Sequence, residues 1–234
     1  MTATPKNERV LLIGASRGLG YAIAEEYVSH GSRVVATVRG EARTALHELG
    51  ERVGGLLEIE RVDITVPEEV QALGQRLESR TFDLLFVNAG VANGFEETSA
   101  NVSTDEFIRL MVTNALSPMR VIDALGHLVP SNGTIAIMSS GQGSIANNLN
   151  GGAEVYRASK SALNQFMRSY AAHHHDDPRT LLLMAPGWVK TDLGGPNARL
   201  TIDESVPSLV RTIDAQRGHP GLQYLDYQGP VVAW

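Results

Sequence analysis

Cysteine is absent from the 234 residues, which excludes disulfide staples and thiol catalysis and is compatible with a reducing cytoplasm. No apolar run reaches the roughly 20 residues that a membrane-spanning helix needs. Residues 1–9 also lack the apolar stretch of a secretory signal. Basic charge is in short supply: 20 Lys and Arg face 26 Asp and Glu, and the formal net charge of −6 repels a phosphate backbone. The expectation is a cytoplasmic protein that binds neither nucleic acid nor membrane.

What is present suits an ordinary globular chain, with 43% hydrophobic and 20% charged residues. Its length suits one domain spanning 1–234. Apolar runs of about five residues alternate with longer amphipathic stretches, the pattern of β-α units around a parallel sheet buried on both faces. Strands are expected at 9–13, 33–38, 56–61, 84–87, 134–138, 180–184 and 223–226. Helices are expected at 18–30, 41–49, 67–79, 105–128, 154–174 and 203–216, with Thr65 and Ser103 as capping hydroxyls for the third and fourth. These elements predict a single-domain α/β fold, a doubly wound seven-stranded parallel sheet with helices on both faces. The segment 187–200 is rich in Gly, Pro and polar residues and reads as a loop beside the site.

Directly after the first strand stand Gly14, Ser16, Arg17, Gly18, Leu19 and Gly20, followed by a helical run. Glycines there let the chain turn sharply and let a pyrophosphate approach backbone N–H groups at the positive end of a helix. Such turns also arise for steric reasons alone, but this one follows the first strand of an alternating β/α chain. The second strand ends at Arg39 with no carboxylate. An acid there would bind the ribose hydroxyls of NAD, whereas an arginine can pair with the 2′-phosphate of NADP. Arg17 could add a second positive charge, so NADP(H) is the expected cofactor.

Tyr156 and Lys160 are four residues apart and share one helix face. A phenol is a poor acid at neutral pH, but a neighbouring ammonium and an oxidised nicotinamide would both favour its ionised form. Upstream, the fifth strand ends at Ser139 and Ser140. Strand alternation turns Ser140 toward the crevice where ligands bind in such sheets.

In kind, order and spacing these motifs resemble those of the short-chain dehydrogenase/reductases, a family of single-domain Rossmann-fold enzymes. The resemblance covers nearly the whole chain. It implies a catalytic set of Asn114, Ser140, Tyr156 and Lys160, with Asn114 holding a proton-relay water. It implies cofactor contacts from the loop at 14–20, from Asp63 and Ile64 to the adenine, and from Asn88, Ala89 and Gly90 after the fourth strand. Pro186, Gly187, Val189 and Thr191 match the segment that binds the nicotinamide carboxamide, and Tyr156 and Lys160 also touch the cofactor. Ser140, Gln142, Tyr156 and Trp188 would face the substrate, Trp188 either lining its pocket or packing under the loop.

Within the family the chain is most similar to the Sniffer-type carbonyl reductase and C-factor-like branch, through residues 186–195, the helix opening at 203–206 and the ending from 225 to Trp234. That branch implies NADPH-dependent, reversible reduction of a ketone or aldehyde, with Tyr156 as general acid/base. A nucleotide-binding signalling or scaffold protein with little turnover is the alternative. A homodimer or homotetramer is implied, paired through 105–128 and 154–174. Ile13 and Val87 depart from the family pattern of Thr and Asn and remove hydrogen-bonding groups from the cofactor floor. No metal is expected: His173, His174 and His175 point in different directions on a helix and suit its negative end.

Overall fold

The computed structural model describes residues 8–94 and 96–234. Seven strands lie in the order β3-β2-β1-β4-β5-β6-β7, all neighbours parallel. They are β1 (Arg9–Ile13), β2 (Arg33–Val38), β3 (Leu57–Arg61), β4 (Leu84–Val87), β5 (Thr134–Met138), β6 (Thr180–Ala185) and β7 (Gly221–Asp226). Side-chain alternation explains their unbroken apolar sequences. Leu11, Ile13, Leu85, Val87, Ile135 and Ile137 pack into one core layer, while Val10, Leu12, Leu84, Phe86 and Ala136 pack into the other. The expected doubly wound sheet is therefore the architecture found. The order in which strands are added to the sheet reverses between β1 and β4, which opens a crevice at their carboxyl ends.

Helices α1 (Gly18–Ser29), α2 (Ala45–Arg52), α3 (Pro67–Leu77), α4 (Thr104–Met111), α5 (Ser117–Leu125), α6 (Glu154–His173) and α7 (Ile202–Ala215) cover the two faces. Three expectations need correction. The second helix starts at Ala45 rather than 41, because Thr44 and the His47 side chain form a reciprocal cap there. Thr65 does not cap α3: its hydroxyl donates to Asp63, and Val66 takes the cap position ahead of Pro67. The helix expected at 105–128 is two, joined by a π-helical turn at Val112–Leu116. Pro118 has no N–H for the carbonyl four residues back, so the regular ladder cannot pass Asn114 unchanged. Ser103 does cap α4, accepting the Glu106 N–H.

Two segments end up over the carboxyl edge of the sheet. The stretch 187–200 is a closed loop whose ends pair, with Lys190 N–H on Leu200 O at 2.8 Å and Leu200 N–H on Trp188 O at 2.9 Å. After β7 the chain turns at Gly229 and Pro230 and runs back antiparallel, pairing Leu225 with Val231. Trp234 anchors it: its carbonyl accepts the Ala146 N–H, its ring stands 5.4 Å from Tyr224, and the Arg168 guanidinium lies 4.5 Å above it. Among the described residues no helix is long and apolar enough to cross a membrane.

Candidate active site

A single cavity of about 650 Å³ runs along the carboxyl ends of the strands. Its floor is the turn between β1 and α1. Gly14 has φ +88, and a Cβ there would stand 2.7 Å from Ala89; a Cβ on Gly20 would come within 2.1 Å of the Gly14 carbonyl. Only hydrogen fits at either position, so backbone closes against backbone. Helix α1 has no side-chain cap and no acid in its first turn, which leaves its leading N–H groups and its positive end facing the cavity. A pyrophosphate fits this cradle.

The hydrogen-bonding groups removed by Ile13 and Val87 are compensated from elsewhere. Thr37 on β2 accepts the Gly14 N–H on its hydroxyl at 2.9 Å and the Ala15 N–H on its carbonyl at 2.8 Å. The Asn88 amide donates to Gly14 O at 2.6 Å, and the Asn88 and Ala89 N–H groups both reach Ile13 O at 2.9 Å. Thr37 is a site residue that sequence reasoning missed, because a threonine inside an apolar strand carries no local mark of the loop it will meet.

At the far end, Arg39 lines the cavity with its side chain exposed and with no partner among the described residues. Asp63 and Ile64 line the same end, the Asp63 carboxylate accepting the Thr65 N–H and hydroxyl. Arg17 lines the cavity and forms an exposed pair with Asp192 of the loop above at 3.2 Å. Thr191 of that loop is packed over Gly18, and its hydroxyl accepts the Gly194 N–H at 3.0 Å. Pro186, Gly187 and Val189 also line the cavity.

At the opposite end, β5 and α6 bring Ser140, Tyr156 and Lys160 to one wall. Ser140 caps the short turn Gly141–Gly143 and accepts the Gln142 N–H at 3.1 Å. Ser139 is turned away, donating to Asn164 at 2.6 Å, as strand alternation requires. Protein packed around the Tyr156 hydroxyl pushes it up to about 12, and its hydrogen bond with Ser140 is the main influence in the other direction. Burial pushes Lys160 down to about 8. Its Nζ donates to Met138 O at 2.9 Å and lies 5.9 Å from the Tyr156 ring centroid. Burial, and not the neighbouring ammonium, is the largest influence on the Tyr156 hydroxyl in this structure.

Asn114 is fully buried and its side chain is spent on structure. Its amide oxygen accepts the Val91 N–H and its nitrogen donates to Val91 O, both at 2.8 Å, and to Ser159 at 3.0 Å. Pro118 also denies the Asn114 main-chain carbonyl its i+4 donor within the π-helical turn. Gly90 is wedged beside this residue and the lysine: a Cβ there would sit 3.3 Å from the Asn114 amide oxygen and 3.5 Å from Lys160 Nζ.

The family model described as short chain dehydrogenase matches residues 8–199. The chain belongs to the short-chain dehydrogenase family. Its relatives include the C-signal protein of Myxococcus xanthus, 38% identical over 154 residues that cover 65% of this chain and 92% of that one. Among solved short-chain dehydrogenases, one from Burkholderia multivorans with bound NADP is 57% identical, covers 97% of this chain and 99% of its own, and superposes with a TM-score of 0.96. A carbonyl reductase from Pseudomonas aeruginosa PAO1 in complex with NADP is 34% identical over 97% and 99% of the two chains, with a TM-score of 0.90. Both sides of the expected branch, carbonyl reductases and C-factor-like proteins, are thus represented.

Of the other cavity residues of this short-chain dehydrogenase, Val62 had no sequence signal, whereas Asp192 and Leu193 fall in the expected loop beside the site and Asp226, Val231 and Val232 in the ending from 225 to Trp234. Trp188 does line the cavity, with its indole N–H on Gly194 O at 2.8 Å. The sequence places the substrate pocket in the loops 91–95, 141–150 and 187–197, of which Phe95 lies outside the described residues. The histidine segment at the end of α6 is engaged locally: His174 stacks on Tyr170 at 4.2 Å, and His175 pairs with Asp176.

Proposed function

We propose that this oxidoreductase is an NADPH-dependent carbonyl reductase that converts a ketone or aldehyde to its alcohol, reversibly. The observation that carries the reading is the convergence of Ser140, Tyr156 and Lys160 on one wall of the cavity whose floor is the glycine cradle. The loop at 14–20 and the start of α1 would hold the cofactor's pyrophosphate, and Arg39, the uncommitted cation, its 2′-phosphate. Asp63 and Ile64 would meet the adenine, and 186–191 the nicotinamide. The NADP complexes of two similar proteins support that choice. When bound, NADPH supplies the hydride.

The chain's own groups would handle the proton. Ser140 and Tyr156 hydrogen-bond the carbonyl oxygen, and Tyr156 gives it a proton as charge develops there. A hydroxyl held up to about 12 is protonated throughout the neutral range, as an acid must be. Lys160, half charged near pH 8, would return the proton through water on the Asn114 carbonyl. Tyr156→Phe tests the assignment. Turnover should fall by at least about a thousandfold, in line with loss of general acid catalysis, while NADPH binding measured by fluorescence stays close to normal. Wild-type turnover in that variant would end the proposal. The similarity to C-signal favours a second reading, nucleotide binding with little turnover, which inactivity toward a broad carbonyl panel would support.

Phe107, Ile108 and Phe166 leave apolar surface exposed on α4 and α6, which supports a homo-oligomer paired through these helices. The cysteine-free composition suits a cytoplasmic enzyme.

A further inference from the structure

Beyond the glycine cradle and the Ser140, Tyr156 and Lys160 wall, the cavity has an apolar wall. It is built by the segment that folds back after β7, which brings Val231 and Val232 to the cavity, and by Trp188 and Leu193 from the loop at 187–200. Three of these are well exposed at the mouth: Val231 at 74%, Trp188 at 46% and Leu193 at 41%. They line the same cavity as Ser140 and Tyr156; the Trp234 anchor holds the segment that carries Val231, and the Trp188 indole is fixed on Gly194 O, so this is a built wall rather than a loose end.

The cations of the cavity stand away from the catalytic end or are buried. Arg17 belongs to the glycine cradle, where it forms an exposed pair with Asp192, and the buried Lys160 ammonium donates to Met138 O. Arg39 directly follows β2, three strand spacings from β5 in the sheet order, or about 14 Å away. The remaining charged side chain on the β7 side is a carboxylate, Asp226. The group with spare hydrogen-bonding capacity is neutral: the Gln142 side chain lines the cavity, and its amide oxygen is buried with no partner.

We infer that the substrate is an uncharged, largely apolar carbonyl compound, aromatic or branched aliphatic, that packs on Val231, Leu193 and Trp188 and offers at most one neutral polar group to Gln142. The inference rests on the carbonyl-reductase reading and narrows it. Anionic oxo acids are excluded by the same geometry, because desolvating a carboxylate beside Val231 and Asp226 without a free cation is unfavourable.

A matched pair of aldehydes tests this, methyl 4-formylbenzoate and 4-carboxybenzaldehyde, alike in shape but neutral and anionic. Wild type should favour the ester in kcat/KM by at least about tenfold. Val231→Lys should shift the ratio toward the carboxylate by about fivefold, and Val231→Asp should shift it further toward the ester. Comparing ratios between variants cancels the electronic difference between the two rings. Val231 is exposed enough that neither change threatens folding. Calorimetric titration of the NADP⁺-loaded protein with the two corresponding alcohols reads the same preference without turnover. Equal or tighter binding of the carboxylate, or an ester preference indifferent to the charge at position 231, overturns the inference. Ester-selective binding without turnover of any carbonyl would instead sink the reductase reading and leave the apolar wall standing.

Discussion

Replacing Lys160 with methionine keeps the length of the side chain and removes its charge. Lys160 is only 3% exposed, and burial lowers it from 10.5 to about 8. The folded protein therefore releases this proton at lower pH than the unfolded chain does. Below about pH 8 the buried ammonium destabilises the fold in full, and the penalty is relieved as pH rises toward 10.5. A shift of about 2.5 units corresponds to about 3.4 kcal/mol in total, of which about 2 kcal/mol is relieved between about pH 7 and pH 9.5. The lost hydrogen bond to Met138 O is a pH-independent offset, and other titrations, including that of Tyr156, are common to both proteins and cancel. Urea denaturation of wild type and Lys160→Met across that range, at one protein concentration, measures the difference directly. Wild type should gain about 2 kcal/mol on the variant over the interval. A flat difference would show that Lys160 keeps an ordinary affinity for its proton, and the reasoning would fail.

Reversing the charge of Arg39 with Arg39→Glu should raise KM for NADPH by about 10- to 100-fold, the range for a lost charge-assisted contact, while NADH kinetics change little. Equal losses with both coenzymes would count against a phosphate contact. Thr37→Val leaves the Gly14 N–H without its acceptor and should cost about 1–3 kcal/mol in denaturation, with weaker NADPH binding in calorimetry. Unchanged values for both would remove Thr37 from the cradle. Phe166→Glu should reduce the mass seen by light scattering toward the 25.2 kDa of one chain, and an unaltered assembly would place the contact elsewhere.

The sequence alone determined the fold class and marked most of the candidate site, because both depend on local pattern. Strand β1 is legible as a short apolar run because a parallel strand buried on both faces leaves no position for a polar residue. The glycines at 14 and 20, the pair Tyr156 and Lys160, and the choice of Ser140 over Ser139 follow from turn sterics and from helix and strand periods. Only the tertiary structure decided what depends on partners distant in the chain. Thr37 holds Gly14 from another strand, Asp192 pairs with Arg17 from 175 positions away, and the Asn114 amide is consumed by Val91. The proton affinities of Tyr156 and Lys160 belong to the same class. Spacing brings the ammonium beside the phenol, but the packed protein around both groups raises one to about 12 and lowers the other to about 8. Burial is a property of the whole enclosure, and no four-residue interval encodes it.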